Sequence, residues 1–119
     1  MSNITYEVEL ALVKPLILEN EIFNLLPNGF YMEVNENGWG LILRVDHKID
    51  NNLEEMIVDL LNPLTVLSEI IEKSQAVLRI AVYNPFFTCN IQLDNIQLLA
   101  KLNIIPRISI YPTSEESDD

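Results

Sequence analysis

Two apolar-alternating runs, Phe30-Tyr31-Met32-Glu33-Val34 and Trp39-Gly40-Leu41-Ile42-Leu43-Arg44-Val45, flank the dipeptide Asn37-Gly38. That dipeptide favours a type I′ hairpin turn, whose two central residues both need positive φ. No other feature of the chain restricts its fold as much, because the hairpin register follows by arithmetic. If Glu36 pairs with Trp39, then Val34 faces Leu41, Met32 faces Leu43 and Phe30 faces Val45. These are three apolar pairs on one side, with Tyr31 opposite Arg44 on the other. A slip of one residue would carry the whole apolar set to the wrong face.

A hairpin with one apolar face must be covered, and the flanking segments supply both strands and helices. Tyr6 to Val13 alternates, with Val8, Leu10 and Leu12 on one side and Glu7 and Glu9 on the other, a half-buried strand stopped at Lys14-Pro15. Glu19 to Leu26 places Ile22, Leu25 and Leu26 at helical spacing before Pro27-Asn28-Gly29. Asn52 to Lys73 is the main helical region: Leu53, Met56, Ile57, Leu60 and Leu61 keep a 3.6-residue stripe that Leu64, Leu67, Ile70 and Ile71 continue. Asn62-Pro63 interrupts it, so the spacing predicts two short helices or one kinked helix. Ala76 to Tyr83 reads as a strand, and Asn84-Pro85 turns toward a second run, Phe86 to Ile91. Asp94 can cap a helix carrying Ile96, Leu99 and Leu102 that ends near Asn103. Arg107 to Tyr111 closes the chain as a strand with Ile108 and Ile110 inward, and Pro106 suggests an edge position or a late start. The expected fold class is α+β, in the order β-α-β-β-α-β-β-α-β, with a mostly antiparallel sheet and helices packed on one face.

Length and composition agree with one such unit. The 119 residues suffice for a single domain, placed at 1–112. No apolar stretch approaches the ~18 residues of a spanning helix, and Met1-Ser2-Asn3-Ile4-Thr5 shows no signal peptide. A single cysteine, Cys89, leaves no internal disulfide and no thiol zinc cluster. A soluble, cytoplasmic protein is expected. The net charge is −11, which argues against nucleic-acid binding, since that requires a basic face. The acidity is uneven. Residues 1–60 hold eleven acids against Lys14, Arg44 and Lys48, giving −8, whereas residues 61–112 sum to +1. The tail 113–119 adds −4, has no apolar residue and is expected to be disordered.

The second half resembles a family of short bacterial proteins classed as a domain of unknown function. The likeness rests on Trp39-Gly40-Leu41 leading to Asn52-Leu53-Glu54-Glu55, Leu60-Leu61-Asn62-Pro63 and Leu64. It continues through Leu78-Arg79-Ile80-Ala81-Val82-Tyr83, then Ile91-Gln92-Leu93-Asp94, Leu98 to Asn103 and the closing Ile110-Tyr111. It spans residues 39–111. Members of that family carry a longer, basic insertion before the tryptophan strand, whereas here Pro27-Asn28-Gly29 runs almost directly into the hairpin. The family has no established chemistry to carry over. The chain also resembles small acidic immunity proteins, which neutralise a sister toxin in bacterial competition.

No catalytic set emerges: there is no nucleophile triad, no glycine-rich phosphate loop and no HExxH. The cluster Asp46-His47-Lys48-Ile49-Asp50 holds the only histidine and a repelling lysine, so it reads as a charged loop and not as a metal site. Cys89 reads as buried packing beside Phe87 and Ile91, and Trp39 as a core anchor at the end of the inner hairpin face, ahead of a recognition role. Glu55 and Asp59 carry more information. As i, i+4 like charges they cost a helix about 0.2–0.5 kcal/mol, and Asp59 sits toward the helix end where a negative charge is unfavourable by about 0.3–1 kcal/mol. Local stability favours lysine at either position. Keeping acids there marks either a face held acidic for solubility or a surface for a cationic partner. The candidate partner-binding residues are Glu33, Glu36, Asp46, Asp50, Glu54, Glu55 and Asp59. Two functions fit. One is a non-catalytic immunity protein for a basic, nuclease-like toxin, with no cofactor or metal, no nucleic acid and no membrane. The other is a structural or regulatory homo-oligomeric module using exposed strand edges and the apolar outer positions Ile42 and Phe86. Monomer and homodimer both remain open.

Overall fold

The computed structural model describes residues 4–15, 17–35, 37–45, 52–86, 91, 93 and 96–112. The elements run β1 (Thr5–Leu12), α1 (Glu19–Leu25), β2 (Phe30–Asn35), β3 (Gly40–Val45), α2 (Leu53–Leu61), a 3-10 segment (Pro63–Leu67), α3 (Ser68–Lys73), β4 (Ala76–Asn84), α4 (Ile96–Lys101) and β5 (Ile105–Pro112). They form an α+β fold around one five-stranded sheet in the order β2-β3-β1-β4-β5. Three of the pairings are antiparallel and one, β4 with β5, is parallel. The sheet is therefore mixed, through a single crossover that carries α4.

The hairpin register is the one the apolar pattern requires: Phe30↔Val45, Met32↔Leu43 and Val34↔Leu41, with Tyr31↔Arg44 on the other side. Gly38 at the turn has φ +95°, and the Asn37 N–H donates to Asn35 Oδ1 at 2.8 Å. The expected partner of Trp39, Glu36, lies outside the described residues. β1 is the central strand, so its alternate leucines are fully enclosed. Leu10 lies between Leu43 and Leu78, and Leu12 between Leu41 and Ala76.

The described helices cover this inner side. Leu53, Met56, Ile57, Leu60 and Leu61 of α2, Leu64 and Leu67 of the 3-10 segment, Ile71 of α3, Leu99 of α4 and Ile22 of α1 share one core with the inner-face strand residues. The kink at Asn62-Pro63 is a 3-10 turn, with proline in its first turn, where the missing N–H costs nothing. Asn103, at φ +55°, ends α4 in the left-handed conformation, with Ile104 N–H bonded back to Leu99 O at 2.8 Å.

The expected run Phe86 to Ile91 lies mostly outside the described residues, and its two described ends belong to no strand. The expected cap Asp94, Cys89, the loop 46–50 and the acidic tail 113–119 also lie outside the described residues. No helix among the described residues is long and apolar enough to cross a membrane.

Candidate functional site

Among the described residues the outer side of the sheet carries no helix, and the strand pattern determines what stands on it. Residues alternating with the inner leucines and isoleucines are Glu7 and Glu9 on β1, Tyr31 and Glu33 on β2, Arg44 on β3, Arg79 and Tyr83 on β4, and Arg107, Ser109 and Tyr111 on β5. Cross-strand neighbours on one face lie close enough to pair, and nearly every charge here is paired. Arg44 pairs with Glu33. Arg79 Nη1 lies 2.8 Å from Glu9 Oε2. The Tyr83 hydroxyl donates to a Glu7 carboxylate oxygen, and the Tyr83 ring stacks on Tyr111 with centroids 5.6 Å apart. Holding its proton against the Glu7 carboxylate pushes the Tyr83 phenol up to about 12 from 10.0, with burial adding to the effect.

Trp39 lies on this side, not in the core. Its ring takes the Arg79 guanidinium at 4.5 Å and the Arg107 guanidinium at 5.2 Å from its centroid, distances within the range of cation–π attraction. The reason for the correction is Gly40. At φ +74° the chain leaves extended geometry just before Leu41, so position 39 does not follow the two-residue parity of Leu41 and Leu43. Trp39 leaves the β2–β3 turn and meets the guanidinium groups of Arg79 on β4 and Arg107 on β5. On β1, which lies between β3 and β4, the outer-face residue is Ala11, which is fully buried. Ile42, beside Ala11 in the same row, is only 1% exposed. Buried to that degree, it offers no apolar docking surface. Phe86 does remain exposed.

Two open depressions flank β1 on this face. One, of about 490 Å³, is lined by Glu7, Glu9, Tyr31, Glu33 and Arg44. The other, of about 240 Å³, is lined by Glu7, Glu9, Arg79, Tyr83, Ser109 and Tyr111. They present flat aromatic and guanidinium faces with carboxylates already engaged. Among the described residues no group of three or more His, Cys, Asp or Glu is placed to hold a metal ion. The arginine–aromatic cluster was missed in the sequence, although its signal is present. Arg79-x-x-x-Tyr83 and Arg107-x-x-x-Tyr111 hold the same parity on two strands, each alternating with apolar residues.

The sequence-predicted partner residues do not converge. Glu33 is on the outer face, whereas Glu54, Glu55 and Asp59 are exposed on α2, which packs against the inner face of β1 and β3. The sheet separates the two groups. Glu36, Asp46 and Asp50 lie outside the described residues. Glu55 also has a local role that spacing alone concealed. It is the third residue after Asn52, whose Oδ1 accepts the Glu55 N–H at 3.1 Å while its amide donates to the Glu55 carboxylate at 3.3 Å. That reciprocal arrangement caps the helix N-terminus, where a carboxylate is favoured by the dipole. Lysine at 55 would therefore be unfavourable, contrary to the expectation from the Glu55/Asp59 spacing.

The helical layer holds the uncompensated charge. Its described helices carry Glu19, Glu21, Glu54, Glu55, Asp59, Glu69 and Glu72 against Lys73 and Lys101, all exposed, and Lys73 already pairs with Glu69 at 3.4 Å. The outer face has three acids, Glu7, Glu9 and Glu33, matched by Arg44, Arg79 and Arg107. The fold thus sorts the acids: they are balanced on the sheet side and in surplus on the helix side. Compared with family models, with curated proteins and with solved structures, the chain matches none.

Proposed function

We propose that this chain is a non-catalytic binding protein, an immunity protein that neutralises a basic, nuclease-like bacterial toxin by covering its cationic cleft. The observation that carries this reading is the surplus of carboxylates on the helical side, beside an outer face whose charges are spent on one another. A protein that cleaves nucleic acid must be basic where it binds substrate. An acidic surface complements such a cleft without any chemistry of its own, and long-range attraction raises association rates toward roughly 10⁸–10⁹ M⁻¹s⁻¹ at low salt. Such a protein would act in the cytoplasm of the cell that makes the toxin. Glu54 and Asp59 on α2 are the residues chosen to test it, because Glu55 is tied to the helix cap.

The experiment is affinity capture from the native cell with the natural chain, followed by stopped-flow association of the captured partner across a salt series. The reading expects a basic partner whose association slows steeply with salt. The double variant Glu54→Lys/Asp59→Lys should slow association and flatten the salt slope, while Glu33→Lys on the opposite side should leave both nearly unchanged. An association rate that ignores salt, or one that responds only to Glu33→Lys, refutes the assignment to the helical side. The second reading, a homo-oligomeric module, is favoured by one observation: the isoleucines exposed along β5.

A further inference from the structure

β5 is an edge strand of eight residues, and its apolar side chains are not covered. Ile105 is 66% exposed, Ile108 38% and Ile110 53%. Long edge strands with exposed apolar side chains invite pairing with another chain. Two prolines restrict which pairing is possible. Consecutive residues of a strand turn their backbone N–H and C=O to opposite edges, and proline has no N–H to lend to a ladder. Pro106 and Pro112 therefore put residues 106, 108, 110 and 112 on the edge facing away from β4. The only backbone donors on that free edge are those of Ile108 and Ile110.

The segment Pro106-Arg107-Ile108-Ser109-Ile110-Tyr111-Pro112 is symmetric about Ser109 in its prolines and isoleucines. We propose that β5 is the interface of a two-fold symmetric homodimer, pairing antiparallel with β5 of a second copy about Ser109 and continuing the sheet across both chains. In that register Ile108 faces the partner's Ile110, and Ile110 faces the partner's Ile108. Each is a hydrogen-bonded pair that exchanges both N–H···O=C bonds, so all the free donors of the edge are used. Pro106 opposite the partner's Pro112 ends the ladder at both sides. Ile108 and Ile110 lie on the inner side of the sheet, next to Ile80 and Val82, so pairing extends the apolar inner face across the two-fold axis.

Self-pairing of one strand buries less than a standard protein interface, so the dimer should dissociate on dilution through the micromolar range. The first measurement is sedimentation of the full chain from low micromolar to several hundred micromolar. The average mass should climb from 13.7 kDa toward twice that value. Ile110→Lys should weaken dimerisation about tenfold or more, and Ile110→Thr serves as a milder variant should the lysine impair folding. The second measurement fixes the register. In a Cys89→Ser background, Ser109→Cys should oxidise to a disulfide-linked dimer. Ser109 meets its own copy as a non-hydrogen-bonded pair about 4.5 Å apart at Cα, within disulfide range. Ile105→Cys, four residues from the axis and so eight positions along the ladder from its own copy, should not cross-link. A chain that stays monomeric at the highest concentration overturns the proposal. So does a dimer that Ile110→Lys and Ile110→Thr leave intact, or a folded Ser109→Cys that fails to cross-link. None of these outcomes bears on the acidic helical side, so this inference and the proposed function stand or fall separately.

Discussion

Gly40→Ala is the sharpest test of how the outer face is assembled. Gly40 has φ +74°, a conformation that costs a residue with a Cβ about 1–2 kcal/mol. The close approach of β1 adds to this. A Cβ at position 40 would lie 2.2 Å from the Leu12 carbonyl oxygen and 2.8 Å from that of Val13, both backbone atoms. Restoring ordinary contact means moving the start of β3 away from β1 by more than an ångström at the Leu12↔Leu41 pair. That displacement strains or breaks ladder hydrogen bonds, about 0.5–1.5 kcal/mol each, and resembles overpacking at about 1–3 kcal/mol. Together these give a loss of about 3–5 kcal/mol, a large part of the ~5–15 kcal/mol stability usual for such domains. Gly38→Ala is the internal control. Gly38 has φ +95° and no atom within 4 Å of its would-be Cβ, so it carries only the conformational cost. Urea unfolding of the three proteins, followed by circular dichroism and by Trp39 fluorescence, should place Gly40→Ala about 2–3 kcal/mol below Gly38→Ala. Equal losses at the two positions would falsify the close approach of Gly40 to β1, and with it the account of how Trp39 reaches the outer face.

Two further outcomes follow from side-chain geometry. In the native protein one of the four tyrosines should titrate near pH 12, because the folded Tyr83 phenol is pushed up to about 12 from 10.0. The folded state then binds more protons than the unfolded state between those values, so this contribution is complete below pH 10 and is lost as pH rises through 12. Glu7→Gln should bring the late tyrosinate absorbance change back toward 10.0, and a titration curve unchanged by Glu7→Gln counts against the hydrogen bond. On α2, charge reversal should act with opposite signs. Glu55→Lys should cost about 1 kcal/mol by removing the cap partner and placing a cation at the N-terminus. Asp59→Lys should be neutral or stabilising by a few tenths of a kcal/mol, because a like-charge pair is relieved. Urea midpoints measure both, and equal signs would show that the cap is not made.

The parts of the fold that were legible are those in which a period reports a face. The hairpin pairs Met32↔Leu43 and Val34↔Leu41 follow from two-residue alternation plus a turn, and the α2 stripe from Leu53 to Leu61 follows from the 3.6-residue spacing. Strand direction carries no such signal. Nothing in the alternation of Ala76 to Asn84 or of Ile105 to Pro112 says that the two run parallel. Trp39 was misplaced for a related reason: parity holds only while φ stays extended, and Gly40 breaks it. Glu55 was misjudged because i, i+4 spacing sees only its neighbour Asp59. Its stronger partner, Asn52, stands three residues earlier, outside the helix. The grouping of candidate acids failed at a higher level. Charge counted along a chain cannot tell which side of a sheet each residue occupies.

The sheet, by separating the two groups of acids, changes what the net charge of −11 means. A partner that approaches a layered fold meets one layer, so charges separated by the sheet cannot act as a single patch. Glu33 is spent on Arg44 across the hairpin, and Glu9 on Arg79 across β1 and β4. Surface pairs of this kind are worth about 0–1 kcal/mol each, so their main consequence is cancellation of field. The outer face sums to zero over its six described charges, although it carries arginines and acids in quantity. The helical side, with carboxylates on three successive helices and few cations, keeps its field, because Lys73 and Lys101 neutralise only part of it. On the proposed reading a cationic partner would be drawn to the helical side of the molecule. The Trp39–Arg79–Arg107 face, neutral overall and rich in flat side chains, is left to contacts that depend on shape and stacking.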